Sequence, residues 1–225
     1  MDICRIYADF CMYAVAFLLS FLIFVCELNF AEYMRRPIIN EKLPISESNP
    51  IKARHYDYDR FTYPWHFHSQ YEIIYVKESH GLCFVGDCIE KFSAGDVILF
   101  GTNLPHYMRS NDIYGSENAT SRVQGTIIQF EKDFMHHAFN YYPHFMQYSF
   151  DYYPQFQQIK MLLEESKRGI IFPKQDATRV GELLSGFLSL SGFHQISGLL
   201  DLLQELAVSP QRRTLASLHY YEKFP

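Results

Sequence analysis

Between Tyr71 and Phe100, short apolar runs alternate with turn residues so closely that no helix fits among them. Tyr71–Lys77 is rich in β-branched and aromatic residues, and Glu78-Ser-His-Gly81 turns it. Leu82–Val85 returns, Gly86-Asp87 has hairpin-turn chemistry, and Cys88–Phe92 follows. Ser93-Ala-Gly-Asp96 then turns into Val97–Phe100, and His106–Arg109 and Val123–Phe130 extend the pattern. From Arg60 to Phe130 this predicts at least seven short strands. Strands at this spacing, with no helices between them, bury their apolar faces by forming an antiparallel barrel or sandwich.

After this region the period changes. Ile159, Leu162 and Leu163 mark a helix closed by Gly169 as a C-cap. Asp176 is the expected cap of a second helix, with Val180, Leu183, Leu184 and Phe187 on its apolar face. Ile196, Leu199, Leu200, Leu203 and Leu206 form a third stripe at helical spacing. Part of that stripe, Ile196, Leu199, Leu203 and Leu206, is expected to bury against a second copy of the chain. The densely aromatic segment Phe139–Phe156 is expected to pack between barrel and helices. Thr214–Pro225 reads as a weakly structured tail.

Ahead of the strands the chain has two different parts. Cys11–Cys26 is a charge-free run of 16 residues, short of the roughly 20 that cross a bilayer. Met34-Arg-Arg-Pro reads as the natural start of a soluble protein, which makes residues 1–33 an over-extended start. A single-pass membrane anchor over residues 11–26 is the alternative, and a signal-peptide core is a third reading. From Met34 to Asp59 the chain is polar and punctuated by Pro37, Pro44 and Pro50, the mark of an extended arm. The resulting layout is an arm over 34–59, a barrel over 60–135, an aromatic and helical segment over 136–217, and a linker remnant over 218–225.

With 225 residues, 48% hydrophobic and 20% charged, the chain has the composition of a globular protein with one good core. Its formal net charge of -5 lacks the basic footprint of a nucleic-acid-binding domain. The five cysteines, Cys4, Cys11, Cys26, Cys83 and Cys88, form no Cys-x-x-Cys pair, so neither a disulfide framework nor a zinc knuckle is indicated. Cys83 and Cys88 read as small core residues in a reducing compartment, and the cytoplasm is the expected location.

The residues that carry chemistry are concentrated in Tyr63-Pro-Trp-His-Phe-His-Ser-Gln-Tyr-Glu. His66, His68 and Glu72 stand at even spacing, so in one extended strand they share a face. Pro105-His106 returns a third imidazole from another strand. In one reading the three neutral imidazoles and the carboxylate hold a divalent ion such as Zn, Mn, Fe or Ni. In a second reading His66, His68, Glu72 and His106 form the polar floor of a small-molecule pocket with Trp65 and nearby tyrosines at its rim. A third makes them hydrogen-bonded core residues. The Gly-x-Ser-x-Gly elbow, the Gly-rich phosphate loop and His-Glu-x-x-His are all missing from the sequence, so no catalytic residue is assigned.

His66-x-His68-x-x-x-Glu72 resembles the first cupin motif, and Gly95 through His106 resembles the second. Gly101 and Asn103 stand where that second motif has its Pro and inner Gly. A closer similarity is to the N-terminal sensor domain of AraC-type bacterial transcription regulators. It is carried by Trp65-His-Phe-His-Ser-Gln-Tyr-Glu-Ile-Ile-Tyr-Val, Phe84-Val-Gly-Asp87, Gly95-Asp-Val-Ile-Leu-Phe and Leu104-Pro-His106, and in the helices by Leu162–Ile170 and Leu199–Ala207. It covers about Met34 to Ser217. The resemblance implies a mainly β fold, a cupin-like antiparallel β-barrel (jelly roll) followed by an α-helical dimerisation segment. It also implies a small-molecule effector, a small polar metabolite such as a sugar, and a homodimer. Such regulators bind DNA through a C-terminal helix-turn-helix part, which has no counterpart in this sequence. The expected role is therefore a non-enzymatic sensor. A cupin metalloenzyme, an oxygenase or isomerase using His66, His68, Glu72 and His106, is the rival.

Overall fold

The computed structural model describes residues 38–46, 49–110, 122–131, 153–175 and 178–223. In chain order the elements are β1 (Ile39–Asn40), β2 (Ile51–Tyr58), β3 (His66–Phe67), β4 (Tyr71–Glu78), β5 (Gly81–Val85), β6 (Cys88–Phe92), β7 (Val97–Phe100), β8 (His106–Ser110) and β9 (Val123–Phe130). Then follow α1 (Gln157–Glu165), β10 (Ile170–Phe172), α2 (Arg179–Phe187), α3 (Phe193–Val208), β11 (Arg213–Thr214) and α4 (Leu218–Lys223).

The strands form a five-stranded sheet ordered β1-β3-β8-β5-β6 and a six-stranded sheet ordered β11-β10-β7-β4-β9-β2. The fold is mainly β, a cupin-like jelly roll followed by helices, as the strand pattern predicts. The two sheets are not joined into one closed hydrogen-bonded barrel. One core is a layer between the two sheets.

Alternation along β4 explains where the cores lie. Ile74 and Val76 face the other sheet and pack with Cys83, Val85, Phe92 and Met108. Ile73 and Tyr75 face the opposite way and pack under the helices with Leu184, Leu199, Leu203 and Leu206. With both faces covered, the first six residues of β4 are all buried, which accounts for an apolar run with little polar alternation. One close approach sets the inner packing. Gly125 on β9 pairs with Tyr56 on β2, and a Cβ there would collide with the Tyr75 carbonyl and the Tyr56 ring. Tyr56 uses the space to donate its hydroxyl to that Tyr75 carbonyl at 3.1 Å.

Three expectations change. The second half of the polar arm is strand β2, paired along its length with β9 from Ile51↔Phe130 to Tyr58↔Val123. As an edge strand it carries Lys52, Arg54, His55 and Asp57, and that solvated half hid the buried Ile51 and Tyr56. The segment read as wholly helical contains β10, which pairs with β7 through Ile171↔Ile98. The tail read as weakly structured supplies β11, the buried Leu215 and Ala216, and α4. α2 starts after Thr178, whose hydroxyl donates to the Gln175 carbonyl at 2.7 Å. Asp176, nearly all of Phe139–Phe156, and residues 1–37 lie outside the described residues. Among the described residues no helix is long and apolar enough to cross a membrane.

The dimerisation stripe is also corrected. Leu199, Leu203 and Leu206 are 0%, 1% and 0% exposed, and Ile196 packs partly buried against the same cluster. The six-stranded sheet has an apolar outer face of its own to cover, and α3 covers it, so the stripe is used within the chain.

Leu203→Ala should therefore cost about 2–5 kcal/mol of stability, as buried Leu truncations do. Urea melting would show it as a lowered midpoint with the same slope. An unchanged midpoint would place Leu203 outside the core.

Candidate functional site

His66 on β3 and His106 at the head of β8 are a directly opposed pair in the five-stranded sheet. Their rings lie 4.2 Å apart. Phe100 stacks on the other side of His106 at 4.2 Å and 10° between planes. The turn that delivers His106 departs from the motif it resembles but still works. Asn103 takes the left-handed φ of 58° that a glycine would supply, and its N–H donates to the His68 carbonyl at 2.8 Å. Gly101 lies against the Ser166–Lys167 backbone, where a Cβ would approach to 2.6 Å.

The four groups converge as the motif suggests, but not by sharing a strand face. His66, His68 and Glu72 do not share one strand. β3 ends at Phe67, the chain crosses to the other sheet, and Glu72 stands on β4. The groups meet because both strands aim them into the layer between the sheets. His66, His68, Glu72 and His106 are 7%, 1%, 4% and 2% exposed. A cavity of about 260 Å³ opens beside them, with His66, Glu72, His106 and Gln129 on its floor and Ile74, Met108 and Ile127 on its wall. Trp65 is buried but is not among the lining residues, which corrects its place at the rim. As the neighbour of His66 in an extended segment it turns away from the side that His66 faces. Tyr63 takes the rim position, its ring 4.5 Å from that of His66.

The hydrogen bonds fix the state of the rings. His66 Nδ1 donates to the Pro64 carbonyl at 2.8 Å, His68 Nδ1 to Gln70 at 3.0 Å, and His106 Nδ1 to Leu104 at 2.8 Å. A carbonyl oxygen only accepts, so the proton must sit on each Nδ1, leaving Nε2 as a lone pair in the neutral ring. One ligand nitrogen from each of the three rings falls within a group spanning 4.8 Å. Nε2 of His68 lies 3.2 Å from Glu72 Oε2, and Nε2 of His106 lies 3.6 Å from Oε1, yet neither nitrogen has a hydrogen-bond partner. Gln129 Nε2 donates to Glu72 Oε2 and fixes the carboxylate from the neighbouring strand.

Charge follows this geometry. Burial, helped by the nearby His106, pushes His66 down to about 3, so this ring is neutral at ordinary pH. Burial opposes charge on His68, but a protonated ring could donate Nε2–H to Glu72, and that bond with the carboxylate's negative charge outweighs burial and raises its pKa. Burial likewise opposes ionisation of Glu72, but His106 and His68 hold it well below the usual carboxylate range. A proton on His68 would cover one of the lone pairs facing Glu72 and leave that of His106 bare. A divalent ion among the three nitrogens and the carboxylate covers all of them, and imidazole with carboxylate is a donor set that suits such ions. The Nδ1–carbonyl bonds fix each ring, the kind of outer contact that orients imidazoles where they ligate a metal.

Sequence reasoning missed three groups. Glu41 follows β1, which pairs with β3, and this brings its Oε2 to 3.5 Å from His66 Nε2. Gln129 faces Glu72 across β4 and β9. Arg54 lines the cavity from β2. Only the strand pairing reveals them; in the sequence they are ordinary polar residues. His55, His80, His194 and His219 are exposed and take no part in the cluster, while His136, His137 and His144 lie outside the described residues.

The family profile of the cupin domain matches residues 55–112, which hold all four predicted groups. The match is confined to this stretch, about a quarter of the chain. Comparison with curated proteins finds no match. Among solved structures, a cupin 2 conserved barrel domain protein from Salinispora arenicola is similar at 15% identity over 42% of this chain and 73% of that one, with a TM-score of 0.31. ToxT from Vibrio cholerae bound to an unsaturated fatty acid is similar at 12% identity over 75% of this chain and 53% of that one, TM-score 0.38. A second ToxT structure shows 10% identity over 70% of this chain and 57% of that one, TM-score 0.40. The chain thus spans little more than half the length of the ToxT chains.

In ¹⁵N-resolved imidazole spectra, the rings of His66 and His106, wherever neutral, should carry their proton on Nδ1. An Nε2-protonated tautomer at either ring would show that its nitrogen does not face the cluster as a lone pair.

Proposed function

We propose that this chain is the effector-sensing part of an AraC-type transcription regulator, and that its cupin domain binds a small metabolite over a divalent-metal site. The observation that carries the binding site is the pair of buried, unpartnered Nε2 atoms of His68 and His106 facing the Glu72 carboxylate beneath a cavity of about 260 Å³. Buried polar atoms without partners cost on the order of 1–3 kcal/mol each, so an arrangement of several calls for a ligand. The cavity is just below the roughly 300–1,000 Å³ of drug-sized sites, which suits a small metabolite.

His66, His68, His106 and Glu72 would hold the ion. Once bound, it would supply a positive centre that polarises an oxygen of the ligand. Gln129 fixes the carboxylate, the carbonyls of Pro64, Gln70 and Leu104 fix the rings, and Phe100 limits how His106 can turn. The regulator reading rests on the sequence resemblance. The donor set also supports a second reading, a stand-alone cupin metalloenzyme, which turnover of a bound substrate by the metal-loaded protein would distinguish.

Zn²⁺ or Mn²⁺ should raise the melting temperature of the protein, since a ligand at 100 times its dissociation constant adds about 2.7 kcal/mol. His68→Ala and Glu72→Ala should lose most of that rise while still folding, because removing a group from an unfilled polar cluster leaves the surrounding core intact. Equal metal-induced shifts in wild type and both variants would overturn the site.

A further inference from the structure

We propose that the ligand of this cavity is a small monocarboxylate whose carboxylate is bound by Arg54 and Tyr58 and whose far end reaches the His66–Glu72–His106 floor. The inference rests on the binding site proposed above and specifies its ligand. Arg54 is the one arginine or lysine lining the cavity. Its guanidinium donates to the Tyr58 hydroxyl at 2.8 Å and has no carboxylate partner among the described residues. Arg122, Arg179, Arg212 and Arg213 each have one. A guanidinium has five donors in a planar fork that matches a carboxylate, so most of the capacity of Arg54 remains available. Because the Tyr58 oxygen accepts from Arg54, its own O–H can donate to the same anion.

Strand register sets the length and character of what lies between. Arg54 pairs with Ile127, and Ile127 pairs with Ile74, in a row across β2, β9 and β4. Glu72 and Gln129 form the row two residues along the strands. Arg54 therefore stands two strands over and two residues along from Glu72, about 12 Å on the diagonal at ~4.8 Å per strand and ~3.4 Å per residue, with Ile74 and Ile127 walling the interval. A sugar would set hydroxyls against that apolar interval without partners. An acid with a short apolar middle has its polar groups only at the ends, where the cavity has partners for them. Charge agrees: a divalent ion and Arg54 against Glu72 and Glu41 leave one net positive charge, which a monoanion balances.

The test is calorimetric titration of the zinc-loaded full chain with straight-chain ω-hydroxycarboxylates from two to eight carbons and with the matching neutral hydroxyamides. At least one acid should bind ten times or more tighter than its amide, the worth of one charge-assisted hydrogen-bond pair. Arg54→Gln should reduce that preference to less than twofold, and Arg54→Lys should keep part of it, which shows that the variants fold and that charge is what is read. Equal binding of acids and amides, no binding by any acid, or an undiminished preference in Arg54→Gln would overturn the proposal. Zinc content is measured in the same samples. Retained zinc with no acid preference removes the ligand class alone, whereas protein that takes up no zinc removes the underlying site as well.

Discussion

The structure depends on β4 being covered on both faces. Its odd residues Ile73 and Tyr75 belong to the core under the helices, and its even residues Ile74 and Val76 to the core between the sheets. Glu72 lies on the even side, so the carboxylate at the centre of the site is held by a strand that packing fixes from both directions. A side chain on such a strand has little freedom to relax, because close-packed interiors leave no space to move into. The three imidazoles come from the facing sheet and the crossover into β4, each anchored by its own Nδ1–carbonyl bond. The site is rigid from both sides before any ligand enters.

Much of this could be read in the sequence, for identifiable reasons. The strands from Tyr71 to Phe130 announce themselves because their turns use Gly86, Gly95 and polar residues, and because β4 and β7 are apolar on both faces. The four central groups were found because His and Glu are rare in such runs. What could not be read depends on pairing. β2 is an edge strand whose exposed half is polar, β10 is three residues long, and β11 exists only because β10 gives it a partner. Glu41 and Arg54 become site residues through β1–β3 and β2–β9 pairing, which no local pattern records. The α3 stripe shows a different limit. Periodicity shows that a helix has an apolar face, but not whether its own chain or a second copy covers it.

The turn before His106 shows how a motif can change its residues and keep its geometry. The position that calls for left-handed backbone is filled by Asn103, the non-glycine type that tolerates it best. Gly101, in place of the motif's Pro, stands where the Ser166–Lys167 backbone crosses, a contact with the helical segment rather than with the site. The requirement at this turn is a particular backbone path, and two different residue choices meet it.

The composition of the cavity floor also bears on why it exists. Four buried ionisable groups, two with bare nitrogens facing a carboxylate, are a poor way to stabilise a core. Apolar side chains of similar volume would leave no polar atom unpartnered and no lone pairs opposed. Nearby positions take that option: Ile74, Met108 and Ile127 line the same cavity with aliphatic or thioether groups. The strands around the floor tolerate apolar residues, so the histidines and Glu72 are not required by the fold. What distinguishes them is that their unmet hydrogen-bonding capacity converges on one point next to open space. A core that loses stability there gains a place where a cation and a small molecule can replace the missing partners.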